Sequence, residues 1–208
     1  MKRFPCSLAR LARLTAVVAV AGLALPHGAD AAERCRPAGT KTLVQTRYVR
    51  VYAAGKTRVY GCLFSTGKPR RLDRGSASPV ERATIRVNGR FVGFVRGALD
   101  SLGEAKSIES VDLKSGEELY SAKDVGGGDD LDRVTDLAVT AAGALAWIVN
   151  TESGPHARRN EVETIDSTGR RTRDVATLGA DIDERSLAVA GNRVYWTKGD
   201  AAMTVKLQ

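Results

Sequence analysis

The sequence predicts an all-β fold of about four small antiparallel sheets, and three observations carry that expectation. A pattern of strand, small-residue turn and strand occurs three times: Thr84 to Val95 reads TIRVNGRFVGFV, Asp136 to Val149 reads DLAVTAAGALAWIV, and Ser186 to Lys198 reads SLAVAGNRVYWTK. The aromatics near the end of each second run, Phe94, Trp147 and Trp196, stand 53 and 49 residues apart, a period that suits a repeated four-stranded sheet. Beyond the N-terminus no window longer than about ten residues carries a 3.6-residue apolar stripe, and the short runs are punctuated by 21 glycines.

At 208 residues, 43% hydrophobic and 27% charged, the chain has the composition of one soluble globular domain. Its first 31 residues read as a secretory signal. Lys2, Arg3, Arg10 and Arg13 precede an apolar run from Leu14 to Leu25 that is short for a bilayer span, and Ala29 and Ala31 supply an A-x-A exit. Cleavage after Ala31 leaves a single domain, residues 32–208, without a membrane span; a retained anchor is the competing reading. Cys6 and Cys35 both lack the small-residue context of a lipoprotein cysteine, and no adjacent arginine pair precedes the apolar run, which points to the general export route.

Export leaves Cys35 and Cys62 where thiols oxidise, so they are expected to form one disulfide, with two unpaired buried thiols as the alternative. Loop-closure entropy for that spacing is worth about 3–4 kcal/mol. Zinc is disfavoured: two thiolates do not complete a tetrahedral shell, and only His156 remains beyond the leader. The chain holds 32 basic and 24 acidic residues; without the leader 28 and 23 remain, a net +5 that suits either an anionic partner or plain solubility.

The elements follow in order. Period-two alternation through Arg47-Tyr48-Val49-Arg50-Val51-Tyr52 and around Val59-Tyr60 marks strands with one wet face, and turns fall at Ala53 to Lys56 and Ser65 to Lys68. Cys62 lies in the second of these runs, so the disulfide would staple the leading segment Ala32 to Thr40 onto this sheet. Asn88-Gly89 is a tight-turn signal, because both central positions need positive φ. Ile108 to Leu113, the Lys114-Ser115-Gly116 turn and Glu117 to Tyr120 complete the second sheet. Leu137 to Val139, Ala144 to Val149, Val162 to Asp166, the Ser167-Thr168-Gly169 turn and a strand near Arg173 to Ala176 build a third. Charge on the outer strands discourages edge pairing. After Trp196 only Met203 to Leu207 remains for the last sheet. Thr42 to Gln45 is therefore expected to lie beside Val205 to Leu207 and close a ring of sheets.

Tyr195-Trp196-Thr197-Lys198, behind a strand and a small-residue turn, resembles one blade of the extracellular YWTD-type and TolB-like β-propellers. The resemblance spans about Thr84 to Leu207 at the level of repeat grammar. It departs at Lys198, where that family has Asp, and in the Phe-Val-Gly-Phe and Ala-Trp-Ile-Val of the other units. It implies a small or incomplete β-propeller-like array, with a β-sandwich as the alternative.

Candidate sites are sparse. Asp130-Leu131-Asp132-Arg133 and Asp181-Ile182-Asp183-Glu184-Arg185 place paired carboxylates ahead of two related strands. Asp130, Asp132, Asp181 and Asp183 are candidates for a cation site or for the acid and base of glycoside cleavage, but their recurrence favours a structural role, salt-bridged to their own arginines. Gly126-Gly127-Gly128 is no phosphate loop, lacking Gly-Lys-Ser/Thr and a following helix, and reads as a linker. His156 lies in a polar excursion without a nucleophile frame. Arginines at Arg70-Arg71-Arg74, Arg158-Arg159 and Arg170-Arg171-Arg173 are either solvated turns or an anion-binding rim, with Arg158, Arg159, Arg170 and Arg171 the candidate contacts. No interleaved aromatics suggest nucleic acid. The expected function is a secreted, non-enzymatic binding or structural protein of the cell envelope, without a cofactor, meeting an extracellular protein or an anionic envelope polymer. A hydrolase using the Asp pairs and an anionic-polymer-binding module are the alternatives.

Overall fold

Apolar residues spaced at two, broken by turn-forming glycines, assemble the chain into short antiparallel strands. The computed structural model describes residues 27–73, 79–100, 103–123, 133–152, 158–166, 171–172, 178–179 and 181–207. Helix α1 (His27–Arg34) and one 3-10 turn (Arg82–Thr84) are the helical parts among these residues. The first sheet has the order β1 (Thr40–Gln45), β2 (Val49–Ala54), β3 (Arg58–Leu63) and β4 (Lys68–Arg71). The second runs β5 (Arg86–Asn88), β6 (Phe91–Asp100), β7 (Gly103–Asp112) and β8 (Glu118–Lys123). In the third, β9 (Arg133–Val139), β10 (Leu145–Glu152) and β11 (Arg158–Ile165) are edged by two short strands, β12 (Arg171–Thr172) and β13 (Leu178–Gly179), both on β11. The fourth is three-stranded: β14 (Ala188–Ala190), β15 (Arg193–Lys198) and β16 (Ala201–Lys206).

The sheets pack face to face in chain order because each strand hides alternate side chains on opposite neighbours. Val51 and Leu72 of the first sheet and its exit share a core with Phe94 and Leu113. Phe91, Val95 and Ile108, on the other side of the second sheet, share one with Leu137 and Trp147. Ile148 and Val162 then meet Val194, Trp196 and Leu207. The three aromatics are therefore placed alike: each sits on the second strand of its sheet, is buried, and faces the preceding sheet. Burial of each ring contributes on the order of 2–3 kcal/mol. Gly93 allows the close approach this needs, since a Cβ there would lie 2.8 Å from Leu145.

A hydrogen-bonded latch recurs 102 residues apart. Thr84 Oγ1 donates to the Glu81 carbonyl at 2.7 Å and accepts from the Val95 amide at 2.9 Å. Ser186 Oγ donates to the Asp183 carbonyl at 2.8 Å and accepts from the Thr197 amide at 3.0 Å. Backbone bonds from Gly97 to Pro79 and from Gly199 to Asp181, and the bridges Val80–Arg96 and Ile182–Lys198, match in the same way. Each latch fastens the segment entering a sheet to that sheet's second strand, just beyond the buried aromatic.

The expected Cys35–Cys62 disulfide is present, with Cα atoms 5.5 Å apart and both residues fully buried beside Tyr52. It pins the leading segment over the outer face of the first sheet. There Arg50 is held by the Cys35 carbonyl at 2.8 Å, Thr42 Oγ1 at 2.9 Å and Thr40 Oγ1 at 3.1 Å. Such a bond belongs to an oxidising environment. No described helix is long and apolar enough to cross a membrane.

Several expectations are corrected. Thr42 to Gln45 does not join Val205 to Leu207: β1 pairs with β2 and β16 with β15. Local closure wins because only three residues separate β1 from β2, and Leu43 and Val44 pack on the first core. The β-sandwich alternative gives way to four separate sheets. The tight turn is shifted by one residue, with Asn88 paired to Phe91 and Gly89-Arg90 in the bend. Asn88 instead sends its carboxamide to the Val139 carbonyl of the next sheet at 3.0 Å, while Gly89 takes the positive φ of 59°. Cleavage after Ala31 stands apart from these corrections: in the uncut chain α1 spans that bond, and Ala31 is buried against Gly67. A short outer strand is described at Arg171–Thr172, and the one expected near Arg173 to Ala176 lies outside the described residues.

Candidate functional site

The turns after the first strand of the first three sheets meet at one end of the molecule, the front. Residues 46–48, 89–90 and 141–143 supply them. Between them opens a cleft of about 580 Å³, lined by Tyr48, Leu63, Gly89, Arg90, Phe91, Ala141 and Ala142. Its size falls in the range of small-ligand sites.

Local bonding sets each wall. Thr46 Oγ1 accepts from the Tyr48 and Val49 amides at 3.2 and 3.1 Å, a side-chain turn that swings Tyr48 out of the strand. The Phe64 amide then donates to the Tyr48 carbonyl at 2.9 Å and fixes the adjacent turn. Tyr48 is 48% exposed and is the exposed large hydrophobic among the described residues. On the other side Thr140 Oγ1 accepts from the Ala142 amide at 3.3 Å, and Gly143 holds φ at 87°. A Cβ on Gly143 would lie 3.0 Å from the Phe91 ring, so glycine lets the third sheet's turn close on the cleft floor. The small side chains of Ala141 and Ala142 leave the space open.

The polar groups are cationic. The Arg47 guanidinium lies 4.4 Å from the Tyr48 ring centre, and that of Arg90 lies 4.9 Å from the Phe91 ring centre. Asp112 steers Arg90 through a 3.0 Å ion pair while its Oδ1 accepts the Lys114 amide at 2.8 Å, and the Arg90 side chain stays 45% exposed. Ring faces beside a forked donor can hold an apolar group carrying an acid. Exposed Lys68 and Lys114 add positive charge at the same end, with Glu117 and Glu118 opposing it.

Two of the carboxylates singled out from the sequence lie away from this cleft. Asp181 and Asp183 are exposed at the far end of the fourth sheet, either side of buried Ile182. Asp183 Oδ1 accepts the Arg185 backbone amide at 3.0 Å, in place of the salt bridge expected with that side chain. In the second sheet the position of Asp181 is held by Pro79 and that of Asp183 by Glu81, so the entering segment does not require a carboxylate pair. Asp130, Asp132, the three glycines 126–128, His156 and Arg170 lie outside the described residues. Among the described residues no three His, Cys, Asp or Glu side chains gather to hold a metal ion.

Along the backbone, Arg158 and Arg159 stand at the other end of β11 from Arg171. Arg158 pairs with Glu152 at the back end of β11, whereas Arg171 pairs with Ile165 at the front end, about 23 Å away at 3.3 Å per residue. Tyr48 and Arg90 carried no signal as a site in the sequence. Tyr48 reads as one more alternating strand residue, and only the register of three separate turns brings it to Arg90 and Ala142.

No protein-family model matches the chain, and no curated protein matches it. Among solved structures it is similar to the computationally designed Ika4 protein, with a TM-score of 0.43 and 18% identity over 79% of this chain and 88% of that one. The computationally designed Ika8 protein is similar with a TM-score of 0.40 and 16% identity, over 79% of this chain and 44% of that one. Likenesses at these scores carry no argument about ligand or activity.

Proposed function

We propose that the chain is an exported, non-enzymatic binding protein, built from β-propeller-like repeats and delivered to the cell envelope by a cleavable N-terminal signal. The observation that carries the binding role is the open front cleft, walled by an exposed Tyr48 and the Arg90 guanidinium. These groups grip a ligand. The nearby Asp112 carboxylate is committed to Arg90 and the Lys114 amide, and Asp181 and Asp183 stand at the opposite end of their sheet.

Export is supported by the leader's charged, apolar and small-residue order and by the buried disulfide. The repeat reading is supported by the latches at Thr84 and Ser186 and by the matched placement of Phe94, Trp147 and Trp196.

Site-directed photocrosslinking tests the role of the cleft. A photoreactive phenylalanine replacing Tyr48 should capture a defined envelope component in intact cells, and the same residue replacing Lys56, in the turn at the back, should not. Equal capture from both positions, or none from position 48, removes the cleft as the binding site.

A further inference from the structure

We infer that the front cleft takes an acidic polysaccharide, one sugar ring lying against Tyr48 and its carboxylate or phosphate reaching Arg90. This inference rests on the reading of the cleft as a binding site and names its ligand class. Three features of the surface select it.

The first is the kind of wall. Tyr48, nearly half exposed at the cleft mouth, offers a flat ring face beside apolar Leu63 and Phe91. The C–H face of a sugar is flat and weakly apolar, and its hydroxyl edge stays in water, as an open cleft requires. Arg47 already stacks on the Tyr48 ring, which leaves one face of the phenol for a ligand. Leu63 and Phe91 below and Ala141 and Ala142 opposite are apolar and shallow, so they accept a ring without demanding buried hydrogen bonds.

The second is the acid receptor. Asp112 holds one nitrogen of Arg90 at 3.0 Å, and the exposed remainder of the planar fork suits a carboxylate or phosphate oxygen pair. Arg90 and Tyr48 line the same cleft, so ring and charge are read together.

The third is the field around the cleft. Exposed Arg47, Lys68 and Lys114 stand at its end of the sheets, partly offset by Glu117 and Glu118, and Arg193 and Lys206 stand at the corresponding end of the fourth sheet. Exposed Asp181, Asp183, Glu184 and Asp200 cluster at that sheet's opposite end. A polyanion longer than one residue is therefore drawn along the front and repelled from the back of the fourth sheet. A single exposed large ring among the described residues argues against single-stranded nucleic acid, which needs a series of stacking faces.

Affinity electrophoresis through polygalacturonate, neutral dextran and inorganic polyphosphate tests the assignment. The wild-type chain should be retarded by polygalacturonate and not by dextran. Tyr48→Ala should weaken that retardation at least tenfold, Tyr48→Phe should retain it, and Arg90→Gln should also lose it with an unchanged far-ultraviolet spectrum. Polyphosphate should retard wild type and Tyr48→Ala alike, because it engages charge without the ring. Polygalacturonate binding that is indifferent to Tyr48→Ala overturns the proposal as plain charge attraction. If polygalacturonate fails to bind while position 48 still crosslinks an envelope component, the sugar assignment falls and the binding cleft stands; if both fail, both readings fall.

Discussion

Ser186 does in the fourth sheet what Thr84 does in the second: one hydroxyl ties the entering segment to the strand that carries the buried aromatic. Each hydroxyl makes two bonds, and each bond is worth about 1 kcal/mol net. Thr84→Val keeps the shape and removes both bonds, so it should destabilise the chain by about 1–2 kcal/mol, and Ser186→Ala by a similar amount. Urea denaturation of the two variants checks this. The double variant should be additive, since the latches sit in different sheets.

Arg96 and Glu109 form a forked ion pair inside the second sheet, with Nε on Oε1 at 2.8 Å and both side chains almost fully buried. Arg96 Nη2 also donates to the Leu72 carbonyl at 2.7 Å, but its Nη1 is buried with no hydrogen-bond partner. Arg96→Met should therefore destabilise by about 3–5 kcal/mol, because it strands the Glu109 carboxylate. Arg96→Met with Glu109→Leu removes both charges and the orphaned donor together. That double variant should match or exceed wild type in a denaturant titration, and a loss equal to the single variant's would show that the pair itself is net stabilising.

The strands of the first sheet were legible because Val49, Val51 and Val59 alternate with polar neighbours, and the glycine turns at 55 and 67 fall between them. The aromatic spacing located the second strand of three sheets for the same reason: a fixed burial pattern needs a fixed side-chain period. What escaped was long-range. Asn88 reads as a turn residue until its carboxamide finds Val139 in another sheet, and nothing local announces that partner. Thr42 to Gln45 stays with its own sheet because edge protection of the last sheet is a weaker pull than closing a three-residue turn on an apolar face. The cleft was invisible since Tyr48, Arg90 and Ala142 are separated by 42 and 52 residues.

Reduction of Cys35–Cys62 frees a loop of 27 residues. The unfolded chain then gains closure entropy worth about 3–4 kcal/mol, which for a domain of this size lowers the melting temperature by about 10 °C. Cys35→Ser with Cys62→Ser should melt like the reduced wild type. It should also loosen residues 35–42, where Arg50 bonds the Cys35 carbonyl and the Thr40 and Thr42 hydroxyls. Amide hydrogen exchange over that segment reads the local effect.

Burial pushes the Tyr52 phenol above its ordinary pKa of 10.0; the Arg50 charge pulls it down, and Tyr60, stacked 5.6 Å away, pushes it up. The unfolded chain ionises this tyrosine first. Stability from keeping it neutral is complete below pH 10 and is lost as pH climbs from there through the folded-state pKa. Urea midpoints should therefore fall as pH rises above 10, and the fall should be shallower in Tyr52→Phe. Parallel profiles for the two proteins would exclude Tyr52 as a source of alkaline instability.

Gly67 reports on the proposed leader. Its φ is 61°, and a Cβ there would lie 2.7 Å from the Ala31 carbonyl oxygen and 2.8 Å from the Ala31 Cα. In the uncleaved chain Gly67→Ala therefore carries two penalties, the left-handed backbone and a collision with helix α1. The first costs about 1–2 kcal/mol on its own. A chain beginning at Ala32 lacks the atoms responsible for the second, so the same substitution should be milder there. Thermal melts of the two lengths, each with and without Gly67→Ala, separate the terms. An equal loss in both lengths would mean that α1 does not rest on Gly67, while a loss confined mainly to the longer chain would show α1 docking on the turn before β4.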